Sequence, residues 1–375
     1  MSSRNESGKV RADILLAALG DPVQAASLGV EQWDLLLRQA RHARLLGRLA
    51  VVMEERGLVS QLPAKVKDRF TAARVFVMWR QRAARWEINR LLDALRNIKE
   101  PLVLLKGSAY ILADLPPARG RLLSDVDLLV PATSLEKVEE TLLDHGWQGV
   151  KLEEYDQHYY RTWMHELPPL RHRERGFEVD IHHTISPLTS RLSPDPEKLI
   201  RDSIPLDDGR LRVLKPVDMV LHSAVHLFYD GELINGLRDL VDLADLFNYF
   251  GGQPGFWDEL VQRAFDQNLQ RPLFYAMRYT QRFLEADIPA TAMKDISAAA
   301  PSSLVLLLMD HLIVWVMVPG HPDRPQRRTA VAQWLLYVRS HWLRMPPALL
   351  LKHLTRKQVM RWKHRKNVST ARVQQ

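Results

Sequence analysis

Asp125 and Asp127 stand in the run Ser124-Asp-Val-Asp-Leu-Leu-Val130. Residues two apart in a strand share a face, so both carboxylates point one way while Val126, Leu128 and Val130 point into the packing. Two such charges about 4 Å apart repel by about 4 kcal/mol at an effective dielectric of about 20, and the apolar strand offers nothing to offset this. A cation is the expected partner. Magnesium suits carboxylate oxygens and keeps coordination positions open for phosphate. In Phe177-Glu-Val-Asp-Ile-His182 the same alternation puts Glu178, Asp180 and His182 on one face, and Asp180 is the predicted third ligand. If the two strands are neighbours, Asp125, Asp127 and Asp180 would hold two magnesium ions about 3.5–4 Å apart, a clamp for in-line phosphoryl displacement. Gly107 and Ser108 open a helix and bring N–H groups and a hydroxyl to phosphate, with Lys106 and Arg121 as counter-charges. Glu178 and His182 are candidates for positioning substrate. For His182, catalysis as a base and a structural hydrogen bond both stay open.

The elements that must carry these residues follow from periodicity and punctuation. Residues 13–57 read as a pair of helices, and Pro63 to Asn97 as one long helix with Phe70, Val77, Trp86 and Leu91 on a face. Leu102–Leu105 is a short continuous apolar run, hence a buried strand. Ser108 is expected to cap a short helix from Ala109 to Asp114, and Leu115–Gly120, with two prolines, is expected to be an irregular loop. A strand over Leu122–Val130, a helix over Ser134–His145 stopped by Gly146, and the strand Phe177–His182 complete the unit. A hairpin at Asp207-Asp208-Gly209 leads into helices from Pro216 to Val318, with Leu304–Val318 expected to be buried. The fold class is α+β with an α/β core: an N-terminal helical region at 1–100, the core at 101–215, a C-terminal helical region at 216–323 and a basic tail at 324–375.

Lys-Gly-Ser at 106–108, Arg121 four residues before Asp-Val-Asp-Leu-Leu-Val, and then Val-Asp-Ile-His at 179–182 together resemble the uncharacterised nucleotidyltransferase family of the DNA polymerase β-type superfamily. The likeness runs over about residues 100–185, and the stretch with His222, His226, Arg238, Asp239 and Asp242 is similar to the helical part that comes next in members of that family. The resemblance implies a minimal nucleotidyltransferase fold, a mixed β-sheet with flanking helices. It implies Gly107-Ser108 as the signature pair, Asp125 and Asp127 as metal ligands and Asp180 as the third acid. It further implies Mg2+ as cofactor and a nucleoside triphosphate, ATP by expectation, as donor. A nucleoside monophosphate would pass to an acceptor, whether small molecule, saccharide or protein, with release of pyrophosphate. One departure is the gap of 18 positions from Gly107 to Asp125, filled by the Pro-Pro loop. The alternative is a catalytically inactive descendant that binds nucleotide and is docked by its tail.

Other groups compete for attention. Asp218, His222 and His226 fall on one helical stripe and could bind zinc, but histidines bonded in a core to neighbours such as Asp239 or Asp242 are the expected outcome. Arg238, Asp239, Asp242 and Asp245 read as a solvated face with intrahelical pairs. Tyr155, Tyr159, Tyr160 and Trp163 read as core or as a platform for a base. The formal charge is +8, yet the thirteen Lys and Arg that follow Asp323, the last acid, leave 39 basic against 44 acidic residues before them. The basicity therefore belongs to 324–375, where Trp334 and Trp342 interleave with it. That pattern suits an anionic membrane surface ahead of nucleic acid, or a solvated helix. The chain has no cysteine, which excludes disulfides and thiol chemistry. The polar N-terminus shows no apolar signal region, so the expected location is cytoplasmic, or peripheral at the inner face of the membrane through the tail. No Gly-rich phosphate loop of the Walker type, dinucleotide fingerprint or GxSxG is present.

Overall fold

The computed structural model describes residues 13–150, 160–206, 209–229, 233, 236–321, 323, 326–346 and 350. The first stretch forms four helices rather than two: α1 (Ile14–Gly20), α2 (Pro22–Ala26), α3 (Val30–His42) and α4 (Leu46–Glu55). The extra breaks are local. Asp21 ends α1 and caps α2, its carboxylate accepting from Val23 and Gln24 N–H, and Pro22 occupies the first helical position. Between α3 and α4 the chain turns through Arg44 at φ 56. The long helix α5 (Ala64–Ala94) buries Phe70, Val77, Ile88 and Leu91. Trp86 does not share that face: it is half-exposed, with the Arg90 and Arg175 guanidinium groups over its ring.

A mixed seven-stranded sheet follows, built from β1 (Leu102–Leu104), β2 (Asp125–Leu129), β3 (Trp147–Gly149), β4 (Leu170–His172), β5 (Glu178–His182), β6 (Ile204–Pro205) and β7 (Leu211–Val213). Its order is β3-β4-β5-β2-β1-β7-β6. Two neighbouring pairs are parallel, β2 with β5 and β1 with β7, and the others antiparallel. The antiparallel β6–β7 pair is the expected hairpin, although Asp207 and Asp208 lie outside the described residues. Helices α6 (Lys106–Leu112), α7 (Leu135–Asp144) and α8 (Pro196–Arg201) sit in the connections. The Pro-Pro segment is not irregular throughout: Pro116–Ala118 makes one 3-10 turn, which proline tolerates at its start.

From Pro216 the chain is helical: α9 (Pro216–Tyr229), α10 (Gly236–Phe250), α11 (Phe256–Asp266), α12 (Gln270–Leu284), α13 (Ala290–Ile296), α14 (Ser303–Met317) and α15 (Arg327–Arg344). One hydrophobic core runs from Leu15 to Leu336 and is shared by the N-terminal helices, the sheet and these later helices. Only the second half of α14 is buried, contrary to the expectation for Leu304–Val318. Leu304, Val305, Leu307 and Leu308 are exposed, whereas Asp310 is bonded to Arg278 and Tyr279. Helix α15 is not a free solvated helix, because Arg339 donates to Phe228 O at 2.9 Å and lies over the Tyr229 and Tyr275 rings. Among the described residues no single helix is long and apolar enough to cross a membrane. Residues 324–325, 347–349 and 351–375 of the expected tail lie outside them.

Helix α4 and the loop before β2 touch backbone to backbone. A Cβ on Gly47 would lie 2.5 Å from Gly120 O and 2.7 Å from Val77 Cγ2, and Gly120 itself has φ +72. Gly47→Ala and Gly120→Ala should therefore each lower stability by about 1–3 kcal/mol, through overpacking in the first case and overpacking with a left-handed backbone in the second. Gly20→Ala, with nothing within 4 Å of the new methyl group, should leave the urea midpoint unchanged or raised.

Candidate active site

Strands β2 and β5 pair in parallel with Asp125 opposite Glu178, Asp127 opposite Asp180 and Leu129 opposite His182. The two carboxylate-bearing strands are therefore neighbours, as a shared metal requires, and Asp125, Asp127 and Asp180 line one cleft of about 680 Å³. The repulsion between them is partly offset, which the strand alone did not reveal. Lys106 Nζ lies 3.3 Å from Asp127 Oδ1, and His182 Nε2 lies 3.1 Å from the same oxygen. Burial pushes the Asp127 carboxyl upward, but Lys106 and His182 outweigh it and hold the group well below the usual carboxylate range. Asp180 goes the other way: burial first, then the Asp127 and Glu166 charges, push it up to about 8. Asp125 is also raised, by burial and by Asp127. Asp180 Oδ1 is buried with no hydrogen-bond partner. An oxygen-only set that holds one firm anion and two carboxyls resisting charge, one oxygen of them orphaned, fits a hard divalent cation such as magnesium.

Among the four residues expected to meet phosphate, the fold separates roles. Helix α6 begins at Lys106, not Ala109, and Lys106 turns out of β1 at φ 46, a strained conformation for a non-glycine residue. Ser108 does not cap it. Its hydroxyl is buried and donates to Leu105 O at 2.7 Å and Asp127 O at 3.4 Å, stapling α6 to β2 instead of facing the cleft. Gly107 does line the cleft, and a Cβ there would lie 2.5 Å from Leu123 Cδ1 and 3.0 Å from Arg121 Nε. Arg121 reaches the cleft too, but its charge is already engaged by Asp242 and, at 4.0 Å, by Asp239, with the guanidinium over the Tyr110 ring. Glu178 does not join the site: it sits beyond the cleft, half-exposed, 3.5 Å from Arg171 Nε. His182, 1% exposed, is held between Asp127 and Glu166, whose Oε2 lies 3.4 Å from Nδ1. Burial lowers its proton affinity, yet the hydrogen bond to Asp127 and the Glu166 charge raise it overall.

Several cleft residues were not singled out from sequence. His165 and Glu166 come from the weakly periodic 147–175 stretch and Arg344 from the end of α15. Arg238 and Asp239 form an intrahelical pair at 2.6 Å, as expected, but α10 is not a solvated face: Asp242 is buried and ion-paired across elements with Arg121, and Asp239 lies 4.0 Å from the same guanidinium. Asp245 likewise pairs with Arg48 at 2.6 Å. The three aspartates, spaced three apart, form the polar stripe of α10, so nothing local marks that stripe as packed against other elements. The Asp218–His222–His226 stripe does not assemble as a metal site. Asp218 is bidentate to Arg263 at 2.8 and 2.7 Å, and His226 lines the cleft with Nδ1 3.8 Å from Asp239. Burial, helped by Lys106, pulls His226 down to about 3. Tyr160 lines the cleft, while Tyr155 and Tyr159 lie outside the described residues.

The raised proton affinity of Asp180 has a signed consequence. A carboxyl that binds its proton more tightly when folded adds stability below its unfolded value of 3.8, and this is lost as pH rises through about 8. In chelator, Asp180→Asn should accordingly be more stable than the parent at pH 8 and lose that advantage toward pH 4. Paired urea titrations across the range would read the difference, and a difference that is flat with pH would refute it.

No curated protein and no solved structure matches the chain. A family described as uncharacterised nucleotidyltransferase does match, over residues 30–285. That span takes in Lys106, Gly107, the three cleft aspartates, His182 and the α9–α10 wall. The chain belongs to this family of uncharacterised nucleotidyltransferases.

Proposed function

We propose that the protein transfers a nucleoside monophosphate from a triphosphate to a hydroxyl-bearing acceptor, with release of pyrophosphate. The observation that carries this reading is the meeting of Asp125, Asp127 and Asp180 in one cleft from two parallel-paired strands. Those three side chains would hold magnesium, which when bound would neutralise both the carboxylates and the triphosphate oxygens. Lys106 Nζ, beside Asp127, adds a cation at the cleft wall for phosphate oxygens. Gly107 lines the cleft next to Lys106, and its lack of a side chain lets Leu123 and Arg121 pack directly against the start of α6. In this reading Arg121 braces the wall through Asp242 and is only a secondary phosphate contact, and Asp180 completes the ligand set and helps to deprotonate the acceptor. The remaining lining, with Tyr160, His226, Arg238 and Asp239 among it, is polar enough for an acceptor rich in hydroxyl groups. ATP is the first donor to test.

The purified protein, given triphosphates labelled on the α-phosphate and a cell extract, should deposit label on an acceptor and release pyrophosphate only with a divalent cation present. Asp127→Asn should lower the rate by about 1,000-fold, the equivalent of about 4 kcal/mol of lost charge stabilisation. Lys106→Met should lower it less and raise the triphosphate KM. Transfer undiminished in Asp125→Asn plus Asp127→Asn would overturn the proposal, and tight magnesium-dependent triphosphate binding without any transfer would point to a non-catalytic relative.

A further inference from the structure

His165, Glu166 and His182 are brought together by backbone pairing. Glu166 makes an isolated antiparallel bridge to His182, and His183 N donates to His165 O at 2.9 Å, so the 165–166 segment lies along the end of β5. One donor atom from each of the three residues lies within 4.8 Å of the other two. Glu166 Oε2 is 3.4 Å from His182 Nδ1 and 3.8 Å from His165 Nε2. Ligand atoms about 2.0–2.1 Å from one tetrahedral zinc ion stand about 3.3 Å from each other. The observed spacings therefore need only small side-chain adjustments to close on a single ion. The imidazole centroids, 5.3 Å apart, are as far apart as two rings sharing such an ion.

The surroundings point the same way. His182 Nδ1 is buried without a hydrogen-bond partner, in a ring only 1% exposed. Its other nitrogen, Nε2, is 3.1 Å from Asp127 Oδ1. A carboxylate on the far nitrogen fixes the tautomer so that Nε2–H donates and Nδ1 keeps its lone pair for a metal.

We propose that His165, Glu166 and His182 bind one divalent transition-metal ion of the zinc type, at a site separate from the oxygen-only set of Asp125, Asp127 and Asp180. Two imidazole nitrogens beside one carboxylate select zinc-like ions over magnesium. Because His165 and Glu166 line the cleft, three protein ligands leave a coordination position facing it, as in zinc sites that engage substrate oxygens. Such an ion would also tie the 165–166 segment to β5 and, through His182, to Asp127.

Chelator-stripped full-length protein, with excess magnesium present to occupy the aspartates, would be titrated with Co2+ and then Zn2+. The expected result is saturation at one Co2+ per chain, with the visible absorption of a low-coordinate nitrogen and oxygen site, and its loss on displacement by Zn2+. His165→Ala and Glu166→Gln should each weaken binding by more than about tenfold, while Asp125→Asn plus Asp180→Asn leaves stoichiometry and spectrum in place. Circular dichroism checks that each variant is folded, and Glu166→Gln keeps the side-chain volume. Absence of saturable binding, indifference to His165→Ala, or loss in the aspartate double variant would each overturn the proposal. The readout uses no nucleotide, so its failure leaves the reading of nucleotidyl transfer standing.

Discussion

Setting Asp180 opposite Asp127 on neighbouring parallel strands concentrates negative charge where little water reaches, and Asp125 one pleat away adds to it. Much of the nearby structure serves to make that charge tolerable. Lys106 enters α6 at positive φ, a strained choice, and its ammonium group stands beside Asp127. Ser108 gives up its hydroxyl to carbonyls of β1's exit and of Asp127, which fixes α6 against the strand that carries the carboxylates. His182 offers a second donor to the same Asp127 oxygen that Lys106 approaches. The compensation is uneven, because both the Lys106 ammonium group and the His182 ring favour Asp127 while Asp180 keeps an orphaned oxygen. That asymmetry is what leaves room for a metal ion.

The loop between Gly107 and Asp125 is longer than the simplest superfamily pattern, and the structure shows what holds it. Helix α5 turns polar side chains onto its carbonyls: Arg80 Nε to Leu123 O at 2.9 Å, and Gln81 Nε2 to Ala118 O at 2.7 Å and Arg121 O at 2.9 Å. Arg48 of α4 adds Pro116 O at 3.3 Å and also binds Asp245 of α10. Backbone groups that no sheet or helix satisfies are thus met by side chains from elements on two sides. Arg121 leaves this braced loop to meet Asp242 while its carbonyl accepts from Gln81, so the loop, α5 and α10 meet at one residue. The segment is a strut whose end sets where β2 begins.

How much of this could be read from the residues follows from the range of each interaction. Alternation is local, so Asp125, Asp127 and Asp180 can be assigned to faces without knowing the fold, and a parallel neighbour relation then brings them together. The long α5, the short β1 and the start of α9 at Pro216 are likewise marked by punctuation in the chain itself. Ser108 departs from its expected capping role because β1 runs into α6 without a separate cap, which moves the hydroxyl from the helix mouth to its interior. Glu166 and His165 are invisible to periodicity because their placement rests on a single bridge to β5, with no strand long enough to show a period. Arg121 and Asp242 lie far apart in sequence, and neither announces the other. An aspartate on a helix reads as solvated until its distant cation is known.

The basic C-terminal region illustrates the same limit with the opposite sign. Counted as a block, its charge suggests a surface for anionic partners, yet two of its arginines are used within the body. Arg339 packs over two tyrosine rings and donates to a carbonyl of α9. Arg344 lines the cleft, and the backbone around it is pinned: Thr189 Oγ1 donates to Arg344 O at 2.6 Å and Arg191 N to Leu343 O at 3.1 Å. Helix α15 lies beyond the stretch 30–285 that the family shares. The aspartates thus belong to the matched part, while one cation that lines the cleft comes from outside it. A cleft residue supplied from outside the matched stretch can change without moving the carboxylates, whose places are fixed by the pairing of β2 with β5.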